Sequence, residues 1–200
     1  MANLVFVVGG AGAGKTTLAK RVAARRHAAL FDMDTLLRPA AEALMAQAGL
    51  DPADRDSEAY KRLCRDLGYR ITMDAALENV ALGTDAIVIG PFSRELNDPA
   101  WVSAELSRAG LDAASVTVKA ISVYLADEAG YKARIAGRGG GLDRWKLEHW
   151  ERFKTTLGRR EVTWRLLPNA VLYFDNSTAS PDRAADEIEL FIYGSLQNAD

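Results

Sequence analysis

The sequence predicts one α/β domain, a five-stranded parallel sheet flanked by helices, and three observations carry that expectation. Five short apolar runs, β-branched or aromatic, alternate with segments of helical spacing. The first run passes through a glycine-rich turn directly into an amphipathic helix. The 200 residues, 48% hydrophobic, hold no internal repeat and no low-complexity linker, so one core is the default. Strands joined through helices lie parallel, with both faces of the sheet covered.

LVFVV (4–8) reads as the first strand. In the helix after it, Leu18, Ala19, Val22 and Ala23 share one face, and Arg25 and Arg26 fall in the last turn, where cations suit the dipole. AALF (28–31), just before DMD, is a short second strand, and residues 51–82 carry a charged, largely helical stretch. AIVIG (86–90) is the third strand, and Asp98-Pro99 reads as an N-cap with the first helical residue. VTVKAISVYL (116–125) and AVLYF (170–174) supply the fourth and fifth strands. Ser180-Pro181 then opens a helix with Ala184, Ala185, Ile188, Phe191 and Ile192 on one side. Two regions exceed a minimal alternation, 51–82 and 137–158, and such insertions are where an α/β core keeps substrate caps and lids.

Composition narrows the function classes. With 25 basic and 27 acidic side chains the formal charge is -2, so no global field argues for nucleic acid or an anionic membrane. Cys64 is the only cysteine, which removes intrachain disulfides and thiolate zinc sites and fits a reducing compartment. The N-terminus lacks a basic leader, and no stretch approaches the roughly 20 apolar residues of a spanning helix. A cytoplasmic protein, monomer or homodimer, is expected. His27 and His149 stand alone, without the spacing of a triad or a metal site.

The strongest motif lies between the first strand and its helix. Gly9, Gly14, Lys15 and Thr16 satisfy G-x-x-x-x-G-K-[ST], and the flanking strand and helix are the context that motif requires. Across Gly9, Gly10, Ala11, Gly12, Ala13 and Gly14 the backbone N–H groups can turn inward around an anion, and the helix adds its positive end. Lys15 is placed for the β- and γ-phosphates, Thr16 for Mg²⁺, and Thr17 completes the cradle.

A phosphate cradle alone fits kinases, GTPases, motor ATPases and binders. No N-K-x-D guanine motif is present, and DEAG (127–130) is a weak D-x-x-G match. AIVIG runs into Pro91-Phe92 without the acidic pair of a motor ATPase, and Asp85 precedes the strand, on the edge away from ligands. What the chain offers is LFDMDTLLR. In an extended segment Asp32 and Asp34 point the same way, one beside the metal's water shell and the other able to accept a hydroxyl proton. Arg38, four residues on, would share Asp34's helical face and steady an anionic acceptor. The plainer alternative is that Asp34 caps the helix and Asp32 sits in a solvated turn.

Together the phosphate loop, the D-x-D, the helical insertion and arginines in a late glycine-rich segment resemble the small-molecule P-loop kinases. The nearest groups are the shikimate and gluconate kinases and the kinases related to zeta toxins and chloramphenicol phosphotransferase. The resemblance implies a P-loop NTPase fold with Asp32 near Mg²⁺ and Asp34 as the base. It implies that YKARIAGRGGGLDR forms a lid, hinged at Gly139, Gly140 and Gly141, whose Arg134, Arg138 and Arg144 approach the phosphates, Arg138 reaching the transferring group. A flexible surface loop is the alternative. The turn after the third strand, GPFSRE, corresponds to an acceptor-contacting turn but lacks the family's consecutive glycines; Arg94 would bind an acceptor anion there, or pair with Glu95 or Asp98. FDNST (174–178) matches the segment that passes the adenine ring, through Asp175 and Asn176, unless these form only a turn. Trp145, Trp150, Phe153 and Leu157 recur at helical spacing and read as an amphipathic helix on the core, with an aromatic base-stacking surface as the alternative.

The expected function is Mg²⁺-dependent transfer of the ATP γ-phosphoryl group to a hydroxyl of a small molecule, within one domain, 1–200. Residues 35–82 form its acceptor region and 137–158 its lid and following helix. The alternatives are a nucleoside monophosphate kinase and a non-catalytic ATP-binding regulator.

Overall fold

Alternation along the first strand organises the molecule. In β1 (Ala2–Val8), Leu4, Phe6 and Val8 face one side and Val5 and Val7 the other, and all are buried. A strand apolar on both faces belongs at the centre of a covered sheet. The computed structural model, which describes residues 1–55, 57–137 and 146–194, places it there. The five strands run in the order β2-β3-β1-β4-β5, every pair parallel, with β2 (Ala29–Asp32), β3 (Ala86–Ile89), β4 (Val116–Tyr124) and β5 (Val171–Asp175) completing the sheet. Chain order reverses at β1, which has β3 on one side and β4 on the other. That reversal opens a crevice beyond the carboxyl ends of the strands.

The even face of β1 packs with Val88, Ala120 and Trp164 beneath α3 (Glu58–Ala81) and α4 (Trp101–Arg108). The odd face packs with Ile87, Ile121 and Phe174 beneath α1 (Lys15–Arg26), α5 (Glu128–Gly137) and the C-terminal helix (Pro181–Tyr193). A smaller cluster of Leu37, Ala41, Met45 and Cys64 joins α2 (Met33–Gln47) to α3.

Ser180 caps the C-terminal helix, its hydroxyl accepting from Arg183 N–H at 3.4 Å. That helix is locked to α1 through Glu189, whose side chain has 0% exposure and which accepts from Arg26 Nε at 2.6 Å and Arg25 Nη1 at 3.3 Å. Two expectations change. Asp98 caps a turn, accepting from Ala100 N–H at 3.0 Å, and α4 begins only at Trp101. The Trp150 segment is an interrupted helix: 146–148 are helical, His149 is a turn, and one helical turn, Trp150–Phe153, continues into a 3-10 turn to Thr156; it still buries Trp150 on the core, while Trp145 lies outside the described residues. As expected, Asp85 sits at the amino edge of the sheet, accepting from the N–H and amide of Asn3 at 2.7 and 3.0 Å.

Candidate active site

The phosphate loop leaves β1 at the sheet's reversal point. Gly9 has φ +140°, and a Cβ on it would lie 2.1 Å from the Val123 carbonyl oxygen, so only glycine passes this close to β4. The loop then turns, with Ala13 N–H donating to the Gly10 carbonyl at 3.4 Å, and α1 starts at Lys15 without a side-chain cap. Its first N–H groups have no intrahelical acceptors, the arrangement that holds anions. Lys15 Nζ donates back to the Gly10 carbonyl at 2.9 Å, which keeps the ammonium over the loop.

Asp32 ties β2 to this loop. One carboxylate oxygen accepts from the Thr16 hydroxyl at 3.2 Å, and the other accepts from Asp34 N–H at 3.0 Å. The second bond corrects the sequence reading. Asp32, with extended φ and ψ, is itself the N-cap, and α2 begins at Met33, so Asp34 occupies the first helical turn rather than an extended segment. Helix geometry nonetheless sets Arg38 one turn beyond Asp34, as expected, near enough for its charge to act on the carboxyl. Asp34 is open to solvent but hemmed in by the cleft walls. That crowding pushes its carboxyl above the usual range, and Asp32 pushes it further, against the pull of Lys15, Lys146 and Arg38.

The Thr16 hydroxyl and the Asp32 carboxylate are hard oxygens in contact, a donor set that suits Mg²⁺ held largely by phosphate and water. Among the described residues no group of three or more His, Cys, Asp or Glu gathers as a metal cage.

The turn after β3 lies at the same carboxyl edge of the sheet. Where the resembled kinases have glycines, Phe92 adopts φ +44° and is fully buried. Left-handed backbone at an aromatic residue costs about 1–3 kcal/mol. The ring offsets this by packing against Tyr69, Phe6 and Trp101 at centroid distances of 5.1, 5.4 and 5.4 Å. A strap, 159–167, is sewn to the same turn: Thr163 donates to the Leu96 carbonyl and Trp164 Nε1 to the Glu95 carbonyl, both at 2.7 Å.

This strap delivers Arg160 to the crevice. Its backbone carbonyl accepts from the Ser122 hydroxyl at 2.8 Å, and its Nη1 donates to the Pro91 carbonyl at 3.2 Å. Its Nε is buried with no hydrogen-bond partner, and no carboxylate pairs with the guanidinium among the described residues. Burial pushes its pKa down from the ordinary value, yet a guanidinium keeps its charge. Beside it, burial and Glu95 hold the Tyr69 phenol protonated, and Glu95 is occupied by Arg65 at 2.7 and 3.0 Å. Arg94 reaches Glu95 only through its backbone N–H, at 3.2 Å, and among the described residues its guanidinium makes no bond to Glu95 or Asp98; with Arg152 it lies near enough to Glu58 to favour that carboxylate's charge.

At the phosphate loop Arg134 donates to the Ala13 carbonyl at 3.2 Å and to the Asn176 carbonyl at 2.6 Å, and the Asn176 side-chain amide donates to the Ala13 carbonyl at 2.8 Å. Asp175 closes a turn onto Ser177 N–H at 3.0 Å. Arg138, Arg144 and the three glycines of the expected lid lie outside the described residues. Sequence reasoning missed Arg160, Lys146 and Tyr69. A trace of Arg160 was present, because residues 159–167 alternate exposed and inward, with Arg160, Val162, Trp164 and Leu166 inward. Among the described residues no helix is long and apolar enough to cross a membrane.

Three solved structures share this architecture. A sugar kinase from Janibacter sp. is 17% identical, with TM-score 0.62 over 97% of this chain and 95% of that one. A gluconokinase from Sinorhizobium meliloti is 13% identical, with TM-score 0.54 over 96% and 90%. A shikimate kinase from Acinetobacter baumannii, in complex with shikimate, is 14% identical, with TM-score 0.50 over 97% and 94%. At these identities the likeness establishes the P-loop kinase fold. No curated protein matches the sequence. The AAA domain family model matches residues 4–159, and the chain belongs to that family.

Proposed function

We propose that this protein transfers the γ-phosphoryl group of ATP to a hydroxyl of a small anionic acceptor, with Mg²⁺. The observation that carries the reading is Asp34, an accessible carboxyl tied by its N–H to Asp32, which in turn holds Thr16, and near enough to the phosphate-loop Lys15 for that charge to act on it. A nucleotide binder without transfer chemistry has no use for a carboxylate there. The sugar kinase, gluconokinase and shikimate kinase that share the fold are named for hydroxylated acceptors, which supports the same chemistry.

In this reading the loop N–H groups and Lys15 hold the triphosphate, and Thr16 and Asp32 hold the metal's side of it. Mg²⁺, when bound, neutralises charge on the β- and γ-oxygens. Asp34 accepts the acceptor's hydroxyl proton as that oxygen bonds to the γ-phosphorus, and the bond to the bridging oxygen breaks with its electron pair leaving on ADP. Arg160, unpaired at the crevice floor, takes an anionic group of the acceptor, with Arg38 and Arg94 nearer the mouth. Residues 35–82 shape the acceptor side of a single domain.

The test is ATP consumption with Mg²⁺ against pooled sugars, sugar acids, phosphorylated sugars, nucleosides and nucleoside monophosphates, read by mass spectrometry for a phosphoryl mass gain. A gain in an anionic hydroxyl compound, lost in Lys15→Ala and Asp34→Asn, is expected. Gain only on a monophosphate's phosphate, or tight ATP binding without any gain, contradicts the proposal.

A further inference from the structure

The residues after β5 grip the phosphate loop from behind. Two donors converge on one loop oxygen: the Asn176 amide at 2.8 Å and Arg134 Nη1 at 3.2 Å from the Ala13 carbonyl. Asn176 is itself pinned, its N–H donating to the Tyr124 carbonyl at 2.8 Å and its carbonyl accepting from Arg134 Nη2 at 2.6 Å. Its side chain is buried, at 6% exposure, and the amide fills the place of a side chain at Gly14, where a Cβ would lie 2.4 Å from Asn176 Nδ2.

We infer that Asn176 is a positioning residue, which with Arg134 orients the Ala13–Gly14 peptide so that the Gly14 N–H points at bound phosphate. A trans peptide is planar, and its C=O and N–H point in opposite directions. Holding the Ala13 carbonyl outward, toward Asn176, therefore turns the Gly14 N–H inward, to the side where Lys15 bridges to Gly10. Gly14, at φ +98°, has no Cβ to restrict this peptide, so the orientation depends on the two external donors. Asn176 thus acts on phosphate through the loop, and its amide is engaged there rather than turned to a base.

The inference rests on the proposed phosphate-binding role of the loop, and a base-free anion separates the two. Binding of MgATP and of magnesium tripolyphosphate is measured by calorimetry for the wild type, Asn176→Ala and the similarly sized Asn176→Leu, with melting curves to confirm folding. Loss of one hydrogen bond predicts roughly three- to tenfold weaker binding, by the same factor for both anions. The second variant keeps the comparison open should the smaller side chain loosen the loop. Weakening of MgATP alone assigns Asn176 to the base and overturns the inference, as does unchanged binding of both. If the wild type binds neither anion, the phosphate-loop reading fails, and the inference with it.

Discussion

Replacing Glu189 by Gln removes the fully buried charge of an ion-pair cluster and leaves the side-chain volume nearly unchanged. The carboxylate has 0% exposure and lies 2.6 Å from Arg26 Nε and 3.3 Å from Arg25 Nη1. Removing one partner of a buried pair costs about 3–5 kcal/mol, because the remaining charge stays desolvated. Here the lower end applies: Arg25 keeps Asp186 at 2.6 Å, and its side chain is 31% exposed. Arg26, at 16% exposure, has less access to water and bears most of the loss. For a chain of this size about 3 kcal/mol lowers the melting temperature by roughly 6–12 °C. The assay is thermal unfolding followed by circular dichroism, with exposed Glu187→Gln as the control, expected to stay within about 0.5 kcal/mol of wild type. A Glu189→Gln protein that melts with the wild type would refute the idea that this buried carboxylate clamps the C-terminal helix onto α1.

Two other perturbations address the cleft. Asp34's raised pKa means the folded protein binds more protons than the unfolded chain between the ordinary carboxylate range and the folded value, so stability falls as pH rises through that window. Asp34→Asn should therefore melt at or above wild type near neutral pH, match it below the ordinary carboxylate range, and lose about 10²- to 10⁴-fold in transfer rate; lower stability at neutral pH would contradict the assigned environment. Arg160→Met, which fills the same space without charge, should raise the acceptor KM about 10- to 100-fold while leaving the ATP KM near wild type. Equal changes in both constants would remove Arg160 from the acceptor site.

The strands and the phosphate loop were legible because their information is local. Period-two alternation in LVFVV and the fixed spacing of Gly9, Gly14, Lys15 and Thr16 need no tertiary partner. Asp34 was found for a partly wrong reason: the strand ends in a cap, so a helix rather than an extended segment presents it. Phe92 shows where local preference fails. Its positive φ is a conformation that sequence alone would give to Gly90 or another glycine, and it holds because Phe6, Tyr69 and Trp101 enclose the ring. Arg160 and Arg159 are adjacent and chemically identical. Only the strap's attachment to Leu96 and Glu95 sends one inward, while the other pairs with Glu161 at 2.6 Å in solvent. Asn176 resembled an ordinary turn residue, since its partner, Ala13, lies 163 residues away in the chain.

The most direct test of the central claim is phosphorus NMR of the wild type with Mg²⁺, ATP and an acceptor found by mass spectrometry. The account predicts a phosphate monoester resonance that grows in step with ADP, and its loss in Asp34→Asn while ATP affinity is kept. Inorganic phosphate as the only product, formed equally by both proteins, would contradict it.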